Sequence, residues 1–198
     1  MNLLLYANES EVRYIDYQPR FCIGLKAVDL PKLTFIRNRL LDYSGVILFG
    51  SCGLLKPFYD EYCYICDDPE DCDGCENKVR MDRFVVPEKW FNDREEYFKT
   101  DDILPLPRMG SGVTMPYSVR SKHLTEYVKT LCPQCEVVDQ ESYIVGKFCK
   151  DNGVKFVSVR WIADKCSKRI APIGINHFYK KYQAKRMQLK FEDMLNAL

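Results

Sequence analysis

Histidine is scarce in this chain of 198 residues, and neither sign of charge is in excess. The two histidines, His123 and His177, stand in unrelated contexts, so a histidine-based metal centre or a Ser-His-Asp triad has little material. The 29 basic and 28 acidic side chains leave a net charge of +1. This balance provides no general basic field for nucleic acid or for an anionic membrane surface.

Long apolar runs are missing as well. No stretch approaches the roughly 20 apolar residues that a transmembrane helix needs. The first apolar run is too short, and Glu9 and Glu11 follow it too soon, for a signal peptide. We therefore expect a cytoplasmic protein. Apolar residues make up 46% and charged residues 29%, which fits a single soluble domain over residues 1–198.

Cysteine, in contrast, is abundant, with ten residues. Four of them form two CxxC pairs within a Cys-rich insertion at about 63–75, and soft thiolate ligands suit Zn²⁺ or an iron–sulfur cluster. A structural metal there is one expectation, and disulfides or free thiols are the alternatives. A further pair, Cys132 and Cys135, has the same alternatives or a redox role. The four clustered cysteines are Cys63, Cys66, Cys72 and Cys75.

Apolar runs alternate with helical patterns along the chain, which predicts an α/β layered fold with a central sheet. The fully apolar run Gly45–Gly50 is typical of a strand covered on both faces, and we expect it to end in a turn, Gly50–Gly53. The other predicted elements are a strand at Leu3–Ala7, a helix near Glu9–Tyr14, a short helix and loop at Pro87–Lys99, a last strand at Phe156–Ile162, and a C-terminal helix at Ile175–Leu198 with Leu189 and Phe191 as core contacts.

Carboxylates follow three predicted strands, at Glu11, Glu141 and Asp164. In open α/β sheets ligands bind beyond the carboxyl ends of strands, so these side chains are candidates for one site. Cleavage of an N-glycosidic bond makes the sugar cation-like and the base negative. Carboxylates at three points can hold the ribose, protonate the base and activate water. Taken singly, each is equally a first-turn or N-cap residue of a helix.

Four short segments stand in a fixed order along the chain. They are Ala7-Asn-Glu-Ser-Glu11-Val, Gly50-Ser-Cys-Gly53, Asp139-Gln-Glu141 and Arg160-Trp-Ile-Ala-Asp164. Together they resemble the A-M-x-x-E-V, G-[ST]-A-G, D-M-E and R-x-I-S-D motifs of the methylthioadenosine/S-adenosylhomocysteine nucleosidases, in the nucleoside phosphorylase/nucleosidase superfamily. The resemblance implies a three-layer fold with a central mixed sheet flanked by helices, here shortened in the N-terminal half.

The resemblance also implies roles for the carboxylates. Glu11 is expected to be the general base that activates water, and Glu141 to accept hydrogen bonds from the ribose hydroxyls. Asp164 is expected to be the acid that serves N7 of the purine, and an aspartate there favours adenine over 6-oxopurines. No cofactor is expected for this catalysis.

Four further positions are candidates for substrate binding. Gln140 stands where the family has a methionine that packs on the ribose. Ser51 and Gly53 are expected to hold a water or an anion, or else to form a tight turn. Tyr117 lies about where the family places its stacking aromatic, and a core or surface role is an equal alternative.

The sequence therefore predicts a purine nucleosidase of purine salvage, with methylthioadenosine, S-adenosylhomocysteine or 5′-deoxyadenosine as substrates. One alternative is a phosphate-dependent phosphorylase that uses Arg13, Arg80 or Arg160 to bind phosphate. Another is a catalytically silent nucleoside- or metal-binding protein, which the departures Gln140 and Ala163 favour. The expected partner is a small-molecule nucleoside, and the resemblance allows a homodimer.

Overall fold

The computed structural model describes residues 1–24, 37, 42–56, 84–108, 110–166 and 173–197. Within these ranges only the backbone is described for residues 164, 165 and 173–183. The clustered cysteines of the insertion at about 63–75 lie outside the described residues, and so does Arg80.

One mixed sheet of nine strands runs through the described part of the chain, in the order β2-β1-β3-β8-β7-β5-β6, with β9 beside β3 and β4 beside β9. Helices flank this sheet, which confirms the predicted α/β fold. The strands are β1 (Asn2–Tyr6), β2 (Arg20–Cys22), β3 (Gly45–Leu54), β4 (Phe84–Val85), β5 (Lys89–Phe91), β6 (Tyr97–Lys99), β7 (Ser111–Thr114), β8 (Val137–Asp139) and β9 (Phe156–Lys165).

Three described helices cover the sheet: α1 (Lys122–Leu131), α2 (Ser142–Asp151) and α3 (Ile173–Asn196). Helix α2 packs on one face, and α3 packs on the other, where Phe191 stacks on Phe49 with ring centroids 4.1 Å apart. Helix α1 contributes Val128 to a third cluster beside β7 and β8. No described helix is both long and apolar enough to cross a membrane.

On one edge of β3, two different strands pair with the two ends of the strand. Strand β1 pairs with it in parallel from Gly45 to Phe49, whereas β8 pairs with it antiparallel at Gly53 and Leu54. On its other edge β9 pairs with both halves. Residues 50–52 therefore have no neighbouring strand on the first edge among the described residues. Because β8 runs opposite to β1, their carboxyl ends approach this gap from opposite directions, rather than meeting at one edge of a parallel sheet.

The predicted turn at Gly50–Gly53 is wrong, since this segment belongs to β3. Strand β9 keeps it extended, with a bulge between Cys52 and Gly53. Strand β9 itself is longer than expected. Asp164, predicted to lie just past the strand, pairs with Gly53 inside it.

Two local predictions are also wrong. Pro87–Lys99, expected to be a helix and loop, contains the antiparallel strands β5 and β6, rich in the aromatic residues that favour strands. The predicted helix Glu9–Tyr14 is only a single 3₁₀ turn, Glu9–Glu11. In helix α3 Phe191 is buried as expected, but Leu189 is 43% exposed and makes no core contact.

Candidate active site

A side chain fills the gap beside β3. The backbone N–H of Ser51 donates to Glu11 Oε1 at 2.9 Å, and Ser51 Oγ donates to the same oxygen at 3.0 Å. A backbone N–H inside a sheet needs a partner, and here a carboxylate replaces the missing strand. Glu11 reaches this position from a 3₁₀ turn that Asn8 caps, with its Oδ1 accepting from the N–H of Ser10 at 2.9 Å.

A fully buried arginine, Arg160 of β9, lies beneath this gap. Its Nη2 is 2.7 Å from Asp139 Oδ2 and 3.6 Å from Glu141 Oε2. Its Nε donates to Ser142 Oγ at 3.2 Å and to Ser158 Oγ at 3.0 Å. A buried guanidinium is tolerated only when it is paired and hydrogen-bonded. These contacts meet that condition at Nε and Nη2.

Gly50 allows Glu11 and Arg160 to approach each other. A Cβ at this position would lie 2.5 Å from Arg160 Nη1 and within 3.0 Å of both Glu11 carboxylate oxygens. Glu11 Oε2 and Arg160 Nη1 are both buried, and neither has a hydrogen-bond partner among the described residues. An acceptor and a donor left open around one small space suit a water molecule or a polar substrate atom.

Glu141 completes the cluster at the start of α2. Burial raises the pKa of its carboxyl group to about 8; the Arg160 guanidinium opposes this shift, while the Asp139 and Glu11 carboxylates add to it. For Arg160 burial alone would lower the pKa, but the Asp139 and Glu141 carboxylates raise it above its usual value. One cation is therefore shared among three carboxylates.

Asp139 has a structural role in this cluster. It accepts from Thr114 Oγ1 at 2.7 Å, from the Ser142 N–H at 3.1 Å and from Ser142 Oγ, in addition to its ion pair with Arg160. Both carboxylate oxygens are thus engaged by the protein. Asp139 ties β7, β8, β9 and the start of α2 together.

The structure brings six of the predicted site residues into one pocket. Gln140 lies at its edge, where its Nε2 donates to Ser118 Oγ at 2.9 Å. Tyr117 is half-buried, and burial raises the pKa of its hydroxyl group. Asp164 reaches this region through its backbone pairing with Gly53, and its side chain is not described. The predicted residues that line the pocket are Glu11, Ser51, Gly53, Tyr117, Gln140 and Glu141.

Cys132 and Cys135 are buried thiols that form no disulfide. Burial raises the pKa of both, which disfavours the thiolate form that metal binding and redox chemistry need. Within the described ranges no group of three or more His, Cys, Asp or Glu residues is arranged to hold a metal ion.

Arg160 organises the cluster, whereas the sequence predicted it only as a motif residue and a candidate phosphate ligand. A signal was present, because Arg160 interrupts the apolar strand Phe156–Ile162, and a charge in a doubly covered strand must find a buried partner. Ser142 and Ser158, which accept from its guanidinium, carry no comparable signal.

No family model matches this sequence, and no curated protein matches it. Solved structures do match the fold. The methylthioadenosine/S-adenosylhomocysteine nucleosidase of Helicobacter pylori, solved with butyl-thio-DADMe-Immucillin-A, superposes with a TM-score of 0.72 at 13% identity, covering 100% of this chain and 98% of the other. The futalosine hydrolase of the same organism gives 0.71 at 11%, covering 100% and 99%. The Neisseria meningitidis nucleosidase with methylthio-immucillin-A gives 0.68 at 16%, covering 100% and 99%. The chain therefore has the fold of these nucleosidases.

Proposed function

We propose that this protein hydrolyses the N-glycosidic bond of a purine nucleoside, with a preference for adenine. The proposal is carried by Glu11 Oε2 and Arg160 Nη1, which border the same space at Gly50 beside the gap in the sheet. Both atoms are buried, and neither has a hydrogen-bond partner among the described residues. The solved structures with the same fold support it, since they are those of two nucleosidases and a futalosine hydrolase.

In the proposed reaction a water molecule occupies the space between Glu11 and Arg160. Arg160 Nη1 donates to the water oxygen and Glu11 Oε2 accepts one of its protons, while Ser51 holds the other Glu11 oxygen in place. Glu11 removes that proton as the water attacks C1′ of the ribose, which is general base catalysis. Glu141 accepts hydrogen bonds from the ribose hydroxyls and fixes the sugar in front of the water.

The departing purine needs a proton or a strong hydrogen bond at N7. We assign that role to Asp164, which follows the family resemblance and its backbone place opposite Gly53 at the pocket. The carboxylic acid protonates N7 as the C1′–N9 bond breaks, and its second oxygen accepts from a 6-amino group. The products are free adenine and the 5′-substituted ribose.

The charges of the cluster favour water over phosphate as the acceptor. The charge of Arg160 is already balanced by Asp139, and Glu11 faces the same space, so an incoming phosphate dianion would be repelled by the Glu11 carboxylate. Arg13, another candidate for phosphate binding, is exposed and does not line the pocket. We therefore favour a hydrolase over the alternative phosphorylase.

The test is a chromatographic assay of free purine released from methylthioadenosine, S-adenosylhomocysteine, 5′-deoxyadenosine, adenosine and inosine, with and without phosphate. A hydrolase releases adenine equally well in phosphate-free buffer, whereas a phosphorylase requires phosphate. Glu11→Gln should lose activity by about 10²- to 10⁴-fold, the range for a general base. Binding of a nucleoside by calorimetry, with no purine released under any condition, would identify the silent binding protein instead.

We also propose that Cys63, Cys66, Cys72 and Cys75 hold one structural Zn²⁺ or iron–sulfur cluster, on the basis of their two CxxC pairs. Elemental analysis should find close to one zinc, or the iron of one cluster, per chain. Cys66→Ser should lower both the metal content and the melting temperature. Metal-free protein with disulfides detected by mass would contradict this proposal.

Three coarser features complete the proposal. We place the protein in the cytoplasm, assign it to purine salvage, and expect it to form a homodimer. Light scattering coupled to size-exclusion chromatography measures the oligomeric state directly. A monomer at micromolar concentration would remove the dimer from the proposal without affecting the chemistry.

A further inference from the structure

A buried glutamine on the C-terminal helix contacts the segment that carries Glu11. Gln188 of α3 is polar but 0% exposed, and its helix neighbours Met187 and Phe191 pack among apolar side chains. A buried amide is costly unless its hydrogen bonds are made, so its partners show what it does.

Both ends of the Gln188 amide bond to the same backbone segment. Its Oε1 accepts from the N–H of Tyr14 at 2.9 Å, and its Nε2 donates to the C=O of Ser10 at 2.8 Å. In an α-helix these two groups would bond to each other, because the N–H of each residue donates to the C=O four residues earlier. The side chain of Gln188 therefore stands between two groups that a helix would join.

This insertion explains why the segment does not form the helix that its sequence predicts. The 3₁₀ turn ends at Glu11, and Val12 has the non-helical dihedral angles φ −130° and ψ 16°. Glu11 lies between Ser10 and Tyr14, so the direction of its side chain depends on how this segment is held open. Its carboxylate then meets Ser51 across the sheet gap.

A second contact joins the same helix to the same segment. Lys185 Nζ lies 5.3 Å from the centre of the Tyr14 ring, one turn before Gln188. Helix α3 thus contacts Tyr14 twice, with Gln188 at its backbone N–H and Lys185 at its ring. Beneath, Val12 and Ile15 pack in the apolar cluster that also contains Met187.

We propose that Gln188 is a positioning residue for Glu11, which acts by keeping Ser10 C=O and Tyr14 N–H apart. The inference rests on the proposed function for its kinetic consequence, but not for its structural one. When the amide is removed, the two backbone groups are free to bond to each other. The segment then winds into a helix and carries the Glu11 carboxylate away from Ser51.

The test uses Gln188→Leu, which keeps most of the volume and removes both hydrogen bonds, and Gln188→Met, which keeps the unbranched length of the side chain and also removes both. The matched control is Leu195→Ala, which damages the packing of the same helix two turns further on, at a residue 4% exposed. For Gln188→Leu we expect kcat to fall by about 10- to 100-fold, the range for a misplaced catalytic group, with KM changed by less than about threefold. Gln188→Met should show the same split, and Leu195→Ala should melt earlier but keep its kcat.

A second measurement does not require activity. Hydrogen exchange by NMR should show faster exchange of the Ser51 amide in Gln188→Leu than in Leu195→Ala, with the Leu48 amide of the same strand as reference. Equal kcat losses in Gln188→Leu and Leu195→Ala, or a Ser51 amide as protected as in the wild type, would overturn the inference. If the wild type releases no purine, the proposed function fails, and the Ser51 exchange still decides the role of Gln188.

Discussion

The two halves of β3 contrast with each other. In Gly45–Phe49 the strand lies between β1 and β9, and its apolar side chains pack in the clusters on both faces. In Gly50–Cys52 none of the described strands pairs with one edge, and a carboxylate accepts from the backbone there instead. Strand pairing and apolar packing hold the first half, whereas the second half brings charged groups together. The site lies where the pairing of the sheet is interrupted, and the intact half provides the rigid support.

Two of the three glycines of β3, Gly45 and Gly50, separate these halves most sharply. Gly50→Ala should abolish activity, by about 10⁴-fold, because its methyl group displaces both Arg160 and Glu11. Gly45→Ala is the control, since its methyl group would meet the movable end of the Ile103 side chain at 2.7 Å and the backbone oxygen of Lys155 at 3.3 Å, and neither belongs to the charged cluster. Purine release and circular dichroism measure the difference. Similar activity in the two folded variants would mean that the halves do not differ in function.

The far end of the second half is tested at Asp164. Asp164→Asn should fold normally and lose two to four orders of magnitude in adenine release, because an amide donates a hydrogen bond but transfers no proton. Release of hypoxanthine from inosine should fall less. Asp151→Asn, an exposed change on α2, is the control. Unchanged adenine release by folded Asp164→Asn would remove Asp164 from the reaction.

Glu141 tests the ribose side of the gap. Glu141→Gln keeps the shape of the side chain but weakens its acceptance of hydrogen bonds from the sugar. Turnover should fall by at least about a hundredfold. Steady-state kinetics on the best substrate of the panel provide the measurement, and wild-type rates would exclude Glu141 from the site.

The same variant should reveal a cost in stability. Because the folded-state pKa of Glu141 is about 8 and the ordinary value is 4.5, its ionisation opposes folding. The wild type should therefore lose stability relative to Glu141→Gln as the pH rises from about 4.5 through 8. Melting temperatures at pH 5 and pH 8.5 test this expectation. If the difference in melting temperature between the wild type and Glu141→Gln is no larger at pH 8.5 than at pH 5, the pKa of Glu141 is not raised.

The sequence was sufficient where local pattern and structure agree. The apolar run of β3, the start of β9 and the C-terminal helix α3 follow from local pattern, and the fold agrees with the resemblance. Partners distant in the chain caused the errors. Strand β9 keeps Gly50–Gly53 extended, and Gln188 opens the segment after Glu11 from 174 residues away, so no local window contains either cause. Arg160 became interpretable only once its carboxylate partners were placed.

Arg160 also fixes the register of the sheet during assembly. Along β9 the side chains alternate, with Phe156 and Ile162 in the cluster beneath α2, and Val157, Val159 and Trp161 in the cluster beneath α3. A slip of one residue against β3 would move the guanidinium into the second cluster, among Ile47 and Phe49, where nothing could neutralise it. An unpaired buried charge costs several kcal/mol, so a misaligned chain is strongly disfavoured. The buried arginine beneath the sheet gap thereby also disfavours misaligned pairing of β9 with β3.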